Sequence, residues 1–298
     1  MCKILTLFEF QKQFSTEEDC FNYLFEYRWP QGFICPKCAC TEYYMLSRQK
    51  RFQCKQCRHQ TSLTAGTVFH KSHQPLRVLF YAIYLIGTSK KGLSAMELRR
   101  KLGIKSYKTA WLLMHKIRSA MATSGTFPLD HMVEVDETYV GGYRKGARGR
   151  GATNKSLVAV AVETNGNTMG RAYLETIASA QSDDLEKFVH DHIALKTEVR
   201  TDGLKSYKFL ADKYEHNPVV AKKMGNKSHL LPKVHIVVAN LKMWLRGIYN
   251  SLPDRHLQLY LDEFTFRFNR RWKLENIFDK LLGRCLNTYT ITYAELTG

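Results

Sequence analysis

The sequence predicts a mixed α/β protein in three parts: a small cysteine-rich region (1–73), a helical region (74–125) and a sheet domain (126–298). Three observations lead there. Two C-x2-C pairs stand fifteen residues apart near the N-terminus. Apolar residues then recur at helical spacing on both sides of a glycine. Past Thr126-Phe127-Pro128 the spacing turns to alternation, in the order strand, strand, strand, helix, strand, then further helices.

The totals set the bounds. A chain of 298 residues with 44% hydrophobic residues can bury a substantial core. Its 45 Lys and Arg outweigh 27 Asp and Glu, for a net charge of +18. Such an excess repels itself in the folded state, and a polyanion is the usual compensation, so nucleic acid is the expected partner. The alternatives are a merely soluble basic protein or one drawn to an anionic membrane surface. No spanning helix is expected, because the longest apolar run, Val78 to Ile86, is far short of the roughly 20 residues needed. Met1 to Phe10 makes a poor signal peptide, so a cytoplasmic, chromosome-associated protein is expected.

Cys35, Cys38, Cys54 and Cys57 have the spacing of a zinc ribbon, in which two knuckles offer four thiolates to one tetrahedral Zn²⁺. Tyr43, Tyr44, Met45 and Phe52 between them suit a pair of strands. Cys40 reads as a bystander, and Cys2, Cys20 and Cys285 as unpaired thiols. Ahead of the ribbon, Ser15-Thr16-Glu17-Glu18 resembles a capping box of Ser15 with Glu18. It opens a helix striped by Cys20, Phe21, Leu24 and Phe25 that ends at Trp29-Pro30 and packs on the ribbon.

Gln74-Pro75 opens an apolar helix from Leu76 to Ile86. Gly92 to Ile104 reads as a helix ending in a glycine turn. A second helix follows from Ser106 to Met121, with Ala110, Leu113, Met114 and Ile117 inward and Lys105, Lys108, Lys116 and Arg118 outward. This is helix-turn-helix grammar, suited to docking on DNA; an ordinary bundle with a solvated basic face is the alternative.

In the sheet domain, Met132 to Val140 reads as a strand. A glycine-rich basic loop follows, carrying Arg144, Lys145, Arg148, Arg150 and Lys155. Strands at Ser156–Glu163 and Gly170–Ile177, a helix at Ser182–Ile193 and a strand at Glu198–Asp202 complete a ribonuclease H-like order.

Asp136 lies midway along the first strand, where propensity disfavours it, and Asp202 ends the fourth. Those strands are neighbours in such a fold, so 66 positions of separation close into one site. Converging carboxylates suit Mg²⁺ or Mn²⁺ and in-line chemistry on a phosphodiester. Glu134 shares the face of Asp136 and Glu137 points the other way. The third ligand is open. No Glu on a later helix fits, whereas Val234 to Ile248 forms a helix with Val234, Val237, Val238, Leu241, Leu245 and Ile248 on its apolar face. His235 and Lys242, seven apart, share another face, with Arg246 also outside the apolar stripe. His235 is the preferred third residue and Asn240 the substitute; a surface histidine with no role is the alternative.

Taken together, the ribbon, the helix-turn-helix, Val-Glu-Val-Asp-Glu-Thr-Tyr-Val-Gly-Gly (133–142), Thr-Asp-Gly (201–203) and Asp-Glu-Phe-x-x-Arg-x-Asn-Arg-Arg (262–271) resemble bacterial insertion-sequence transposases of the IS1595 family, across nearly the whole chain. The resemblance implies a DDE-type polynucleotidyl transferase with Asp136 and Asp202 as the first two acidic positions. It also implies a third position open to Glu, Asn or His with Lys seven residues later, as His235 and Lys242 stand. Imidazole suits Mn²⁺ better than Mg²⁺. The partners implied are double-stranded DNA, both terminal inverted repeats and target, and a second copy of the chain. Lys242, the 143–155 loop with Arg144, Lys145, Arg148 and Arg150, and Arg246, Arg270, Arg271 and Lys273 then read as phosphate contacts, while Glu263 pairs with Arg267 four residues on. The rivals are a ribonuclease H-like nuclease and a zinc-ribbon DNA-binding protein with an inactive catalytic domain.

Overall fold

A computed structural model describes residues 5–122, 127–141, 155–219, 230–249 and 252–298. The chain divides into two compact units, one of Met1–Ala120 with Lys273–Gly298, the other of Met121–Trp272. The expected boundaries differ in two ways: the ribbon and helical regions form one unit, and the last 26 residues belong with them rather than with the sheet.

The first unit opens with α1 (Leu7–Gln13) and α2 (Glu17–Arg28). Each has a reciprocal capping box, Thr6 with Glu9 and Thr16 with Asp19. The box expected from Ser15 and Glu18 is therefore shifted by one residue, and Ser15 Oγ instead donates to Asp19 Oδ2 at 2.9 Å. A three-stranded antiparallel sheet follows, β1 (Tyr43–Leu46), β2 (Arg51–Cys54) and β3 (Gln60–Ser62). Phe52 of β2 is buried under Phe25 and Trp29, with ring centroids 5.5 and 5.1 Å away, so α2 does pack on the ribbon.

Three helices complete this stretch: α3 (Leu76–Thr88), α4 (Ala95–Leu102) and α5 (Tyr107–Ser119). Ser94 caps α4, and Gly103 ends it at φ 63°, a conformation glycine adopts without steric cost. The inward residues of α5 are buried as expected, but Lys116 and Arg118 are buried too rather than outward. The C-terminal half of α5 is enclosed on all sides, so its basic face is confined to the first turn. From the end of the chain, α10 (Ile277–Leu286) sets Phe278 among Phe10, Phe14 and Phe80, and α11 (Tyr293–Thr297) sets Tyr293 over Lys108 Nζ at 3.7 Å.

The second unit holds a five-stranded sheet built from β4 (Met132–Val140), β5 (Ser156–Asn165), β6 (Thr168–Ile177), β7 (Glu198–Thr201) and β8 (Glu215–Pro218). Their spatial order is β6-β5-β4-β7-β8, with β4, β5 and β6 antiparallel and β7 and β8 parallel to β4. This is a mixed sheet flanked by helices, as the order of elements in the sequence predicts. Alternation along β4 sorts its residues between two cores. Val133 and Val135 join Leu185, Phe188 and Val189 of α6 (Ser182–His192), while Val140 joins α8 (Pro232–Ile248) and α9 (Leu257–Phe268). A short α7 (Leu210–Lys213) leads into β8.

As an edge strand, β6 must satisfy outward backbone groups. Side chains from α9 and its C-terminus do so: Asn269 bonds both the N–H and C=O of Ala172 (2.7 and 2.9 Å), and Gln258 accepts from Thr176 N and donates to Leu174 O. Arg271 donates to the carbonyls of Gly170 (3.0 Å) and Met169.

Candidate active site

In the parallel pairing of β4 with β7, Val133 lies opposite Val199 and Glu134 opposite Arg200. Asp136 lies two residues past that pairing on β4, and Asp202 two residues past it, beyond Thr201, the last residue of β7. Asp136 is on the face of the sheet covered by α8, because it pairs with Val160, which lies in the core under α8 and α9. Both aspartates are half-buried. Asp136 Oδ1 accepts the N–H of Glu137 at 2.8 Å, and Asp202 Oδ1 accepts the N–H of Leu204 at 3.1 Å in a turn through Gly203, φ 77°.

Side chains fix α8 along β4 at two points. Glu134 Oε2 accepts from Lys233 N (2.8 Å) and Val234 N (3.0 Å), satisfying amides that a helix N-terminus leaves unpaired. Eight residues on, Lys242 Nζ donates to Thr138 Oγ1 at 2.8 Å. Asp136 lies between these two anchors. Burial pushes the Glu134 carboxyl above its usual range, against the pull of the two amides. Burial also lowers the Lys242 ammonium, with further lowering from Lys155 and Arg246, so three cations gather at this edge.

The same helix geometry separates the two candidates for the third position. Lys233 Nζ donates to Asn167 O beyond β5, and Trp244 packs on Phe264 of α9 at 5.7 Å, which marks one flank of α8. At 100° per residue Asn240 falls on that flank. His235 falls on the opposite flank with Lys242 and Arg246, above β4. Both His235 and Asn240 are exposed. Among the described residues, the four ribbon cysteines alone form a group of three or more His, Cys, Asp or Glu whose ligand atoms lie within 4.8 Å of one another. Asp136, Asp202 and His235 do not close to that degree.

Tyr207 lies outside every sequence expectation. It is fully buried beneath the aspartates and donates its hydroxyl to Glu137 Oε1 at 2.7 Å. Burial, together with Glu137, Asp136 and Asp202 nearby, pushes its phenol well above the ordinary range. Glu137 points away from α8, as alternation requires. The sequence did carry one signal for Tyr207, an aromatic five residues past Asp202, but a loop residue has no period to flag it.

The cysteine site is built from two matching knuckles. Ala39 N returns to Cys35 O at 2.9 Å and Arg58 N to Cys54 O at 3.1 Å, with Ala39 and Arg58 both at φ 60°. Cys35 and Cys57 Sγ, like Cys38 and Cys54 Sγ, are 3.6 Å apart. A disulfide would need about 2.05 Å. A tetrahedron with Zn–S of about 2.3 Å has edges of about 3.8 Å, so the donor set and spacing fit a structural zinc ion.

Among the predicted phosphate contacts, Arg144, Lys145, Arg148 and Arg150 lie outside the described residues. Arg246 is exposed. Arg271 is committed to main-chain carbonyls and stacks over Phe268 at 4.0 Å, and Arg270 bonds Phe266 O and stacks over Phe266. The closing motif thus has a structural use as cover for β6. Glu263 is fully buried and pairs with Arg267 at 3.0 Å, as the spacing predicts.

Comparison with known proteins agrees with both halves. Residues 128–269 match the ISXO2-like transposase domain of the IS1595 type, and residues 15–60 match the transposase zinc-ribbon domain of that type. The chain is 27% identical over 282 residues to an uncharacterized protein in transposable element ISH50 of Halobacterium salinarum, covering 86% of this chain and 92% of that one. Two solved structures are also similar. The Mos1 strand transfer complex has 11% identity and a TM-score of 0.31, covering 69% of this chain and 76% of that one. A pre-cleavage Mos1 transpososome has 11% identity and a TM-score of 0.26, covering 70% and 79%. Likenesses this loose do not bear on the assignment. The paired domain matches do: in the order ribbon then sheet domain, they make the chain similar to transposases of the IS1595 type.

Proposed function

We propose that this transposase binds the terminal inverted repeats of an insertion sequence, cleaves a phosphodiester at each end and joins the freed 3′-hydroxyl to target DNA. The observation that carries the reading is the parallel pairing of β4 with β7, the strand that carries Asp136 with the strand that Asp202 follows. Their carboxylate oxygens are the hard donors that Mg²⁺ or Mn²⁺ prefers, and the half-buried edge leaves them open to a DNA strand. Asp136 and Asp202 would hold divalent ions there, which would supply stabilisation of charge on the attacking and leaving oxygens. His235 is the third residue of the site, since Asn240 faces the α9 flank. Lys242, Lys155 and Arg246 hold the phosphates on either side of the cut, where their mutual repulsion is relieved by the polyanion.

The α4–Gly103–α5 pair docks on the inverted repeat as a helix-turn-helix, through Lys105, Tyr107 and Lys108, exposed at the first turn of α5. Two element ends call for a homo-oligomer. The enzyme acts on chromosomal DNA in the cytoplasm, and no helix among the described residues is long and apolar enough to cross a membrane.

One assay tests this. The protein is incubated with a labelled inverted-repeat end, a plasmid target and Mg²⁺ or Mn²⁺. Joined product is expected. Nicks without joining would make it a nuclease, and retarded but intact DNA a binding protein. Asp136→Ala is expected to abolish cutting and joining while leaving retardation intact.

A further inference from the structure

A continuous path of hydrogen bonds joins the two aspartates through the protein interior. Asp202 Oδ1 accepts from Leu204 N at 3.1 Å, and Leu204 O accepts from Tyr207 N at 3.1 Å. Tyr207 Oη donates to Glu137 Oε1 at 2.7 Å, and Glu137 N donates to Asp136 Oδ1 at 2.8 Å. We infer that Tyr207 is a positioning residue, whose hydroxyl ties the turn carrying Asp202 to the strand carrying Asp136 and so sets the spacing of the two carboxylates.

The need for such a tie follows from the fold. Asp202 lies past the last paired residue of β7, so no ladder bond holds it. Two carboxylates at one edge repel each other before a cation arrives, and a free turn would relax by moving outward. The turn is held instead from below. The Tyr207 ring is fully buried in the core shared with Val135, Leu185 and Leu210, and Ser182 Oγ of α6 donates to Ser206 O at 3.2 Å. The ring fixes the height of the turn above the sheet. The hydroxyl bonds this turn to β4, one residue from Asp136. Glu137 serves as its acceptor on the face away from substrate, which explains a third carboxylate beside Asp136 that alternation turns away from α8.

This inference rests on the reading of Asp136 and Asp202 as the ion-binding pair, and the test separates the two. Mn²⁺ binding to the zinc-loaded full chain, without DNA, is titrated by electron paramagnetic resonance, and cleavage of the labelled end is measured across a Mg²⁺ series. Tyr207→Phe keeps the ring and removes the bond. It is expected to weaken Mn²⁺ binding about tenfold, the low end of losses seen when a residue supporting a metal ligand is removed. It is expected to raise the Mg²⁺ needed for half-maximal cleavage by a similar factor, while the rate at saturating Mg²⁺ returns to near wild type. Glu137→Gln retains an acceptor and is expected to bind Mn²⁺ nearly as wild type does, whereas Glu137→Ala is expected to match Tyr207→Phe. Should Tyr207→Phe fail to fold, Glu137→Ala cuts the same link from the other end and is read in its place. Wild-type Mn²⁺ affinity in the cut variants, or equal losses in Glu137→Gln and Glu137→Ala, would overturn the positioning role. Mn²⁺ binding that survives Asp136→Ala would instead overturn the reading of the site.

Discussion

Asp262 shows how a single buried carboxyl makes this protein sensitive to pH. Burial pushes its carboxyl up to about 6, against a 2.9 Å bond from Gln258 Nε2; Glu175 adds to the rise and His192 opposes it. The folded chain therefore keeps a proton here that the unfolded chain releases near pH 4. Stability from this group is full below about pH 4 and is lost as pH rises through about 6, by about 3 kcal/mol. Asp262→Asn preserves an acceptor for Gln258 and removes the ionisation. By calorimetry it is expected to melt several degrees above wild type at pH 8 and level with it at pH 4; an equal gap at both would reject this account. At this scale the sequence was partly legible. The place of Asp136 midway along β4 was legible, because the alternation of Met132–Val140 was. Lys116 and Arg118 misled, because helical spacing reports which residues share a face and not how many faces are covered. Tyr207 was missed, because its importance lies in a partner 70 positions away.

Among the elements, α8 depends most on one contact from outside itself. Glu134 accepts two of its N-terminal amides, a carboxylate at the positive end of the helix dipole. Glu134→Ala is expected to cost about 1–3 kcal/mol and to speed hydrogen exchange at Lys233 and Val234, with Glu134→Gln recovering part of the loss. Unchanged exchange at those two amides would show that α8 is held by its apolar face alone. The edge strand makes a parallel case. Asn269→Ala leaves the N–H and C=O of Ala172 without their side-chain partner and is expected to lower stability to urea by about 1–3 kcal/mol. A wild-type midpoint would remove Asn269 from the cover of β6. Elements were the most legible level of the sequence. The span Met132–Val140 agrees at both ends, and α8 begins at Pro232, two residues before the expected start, because proline suits the first helical position. The short α1 was missed, although Thr6 and Glu9 spell its capping box.

For the whole molecule, two consequences of charge and metal can be measured. A net charge of +18 makes association with DNA strongly salt-dependent, so log K against log salt is expected to fall with a slope of several units in a binding titration. A slope near zero would mean that phosphates are not the main contact. Removing zinc with a strong chelator is expected to strip exchange protection from Ala39 and Arg58, whose amides close the two knuckles, while Val160 and Leu174 of the sheet keep theirs. Loss of protection in both places would show that the ion supports more than the ribbon. Domain order was legible from the change of period along the chain, but the place of residues 273–298 was not. Nothing in an amphipathic helix names the surface it will cover, and Phe278 could have served either core.

That placement has a consequence for synthesis. The half that leaves the ribosome first lacks Phe278 and Cys285 until the sheet half has been made, and the amide of Val68 has to wait for the carbonyl of Cys285. The sheet half, encoded wholly in between, can finish its core sooner. A premature stop after Trp272 would therefore spare the later-made half and leave the earlier-made one open.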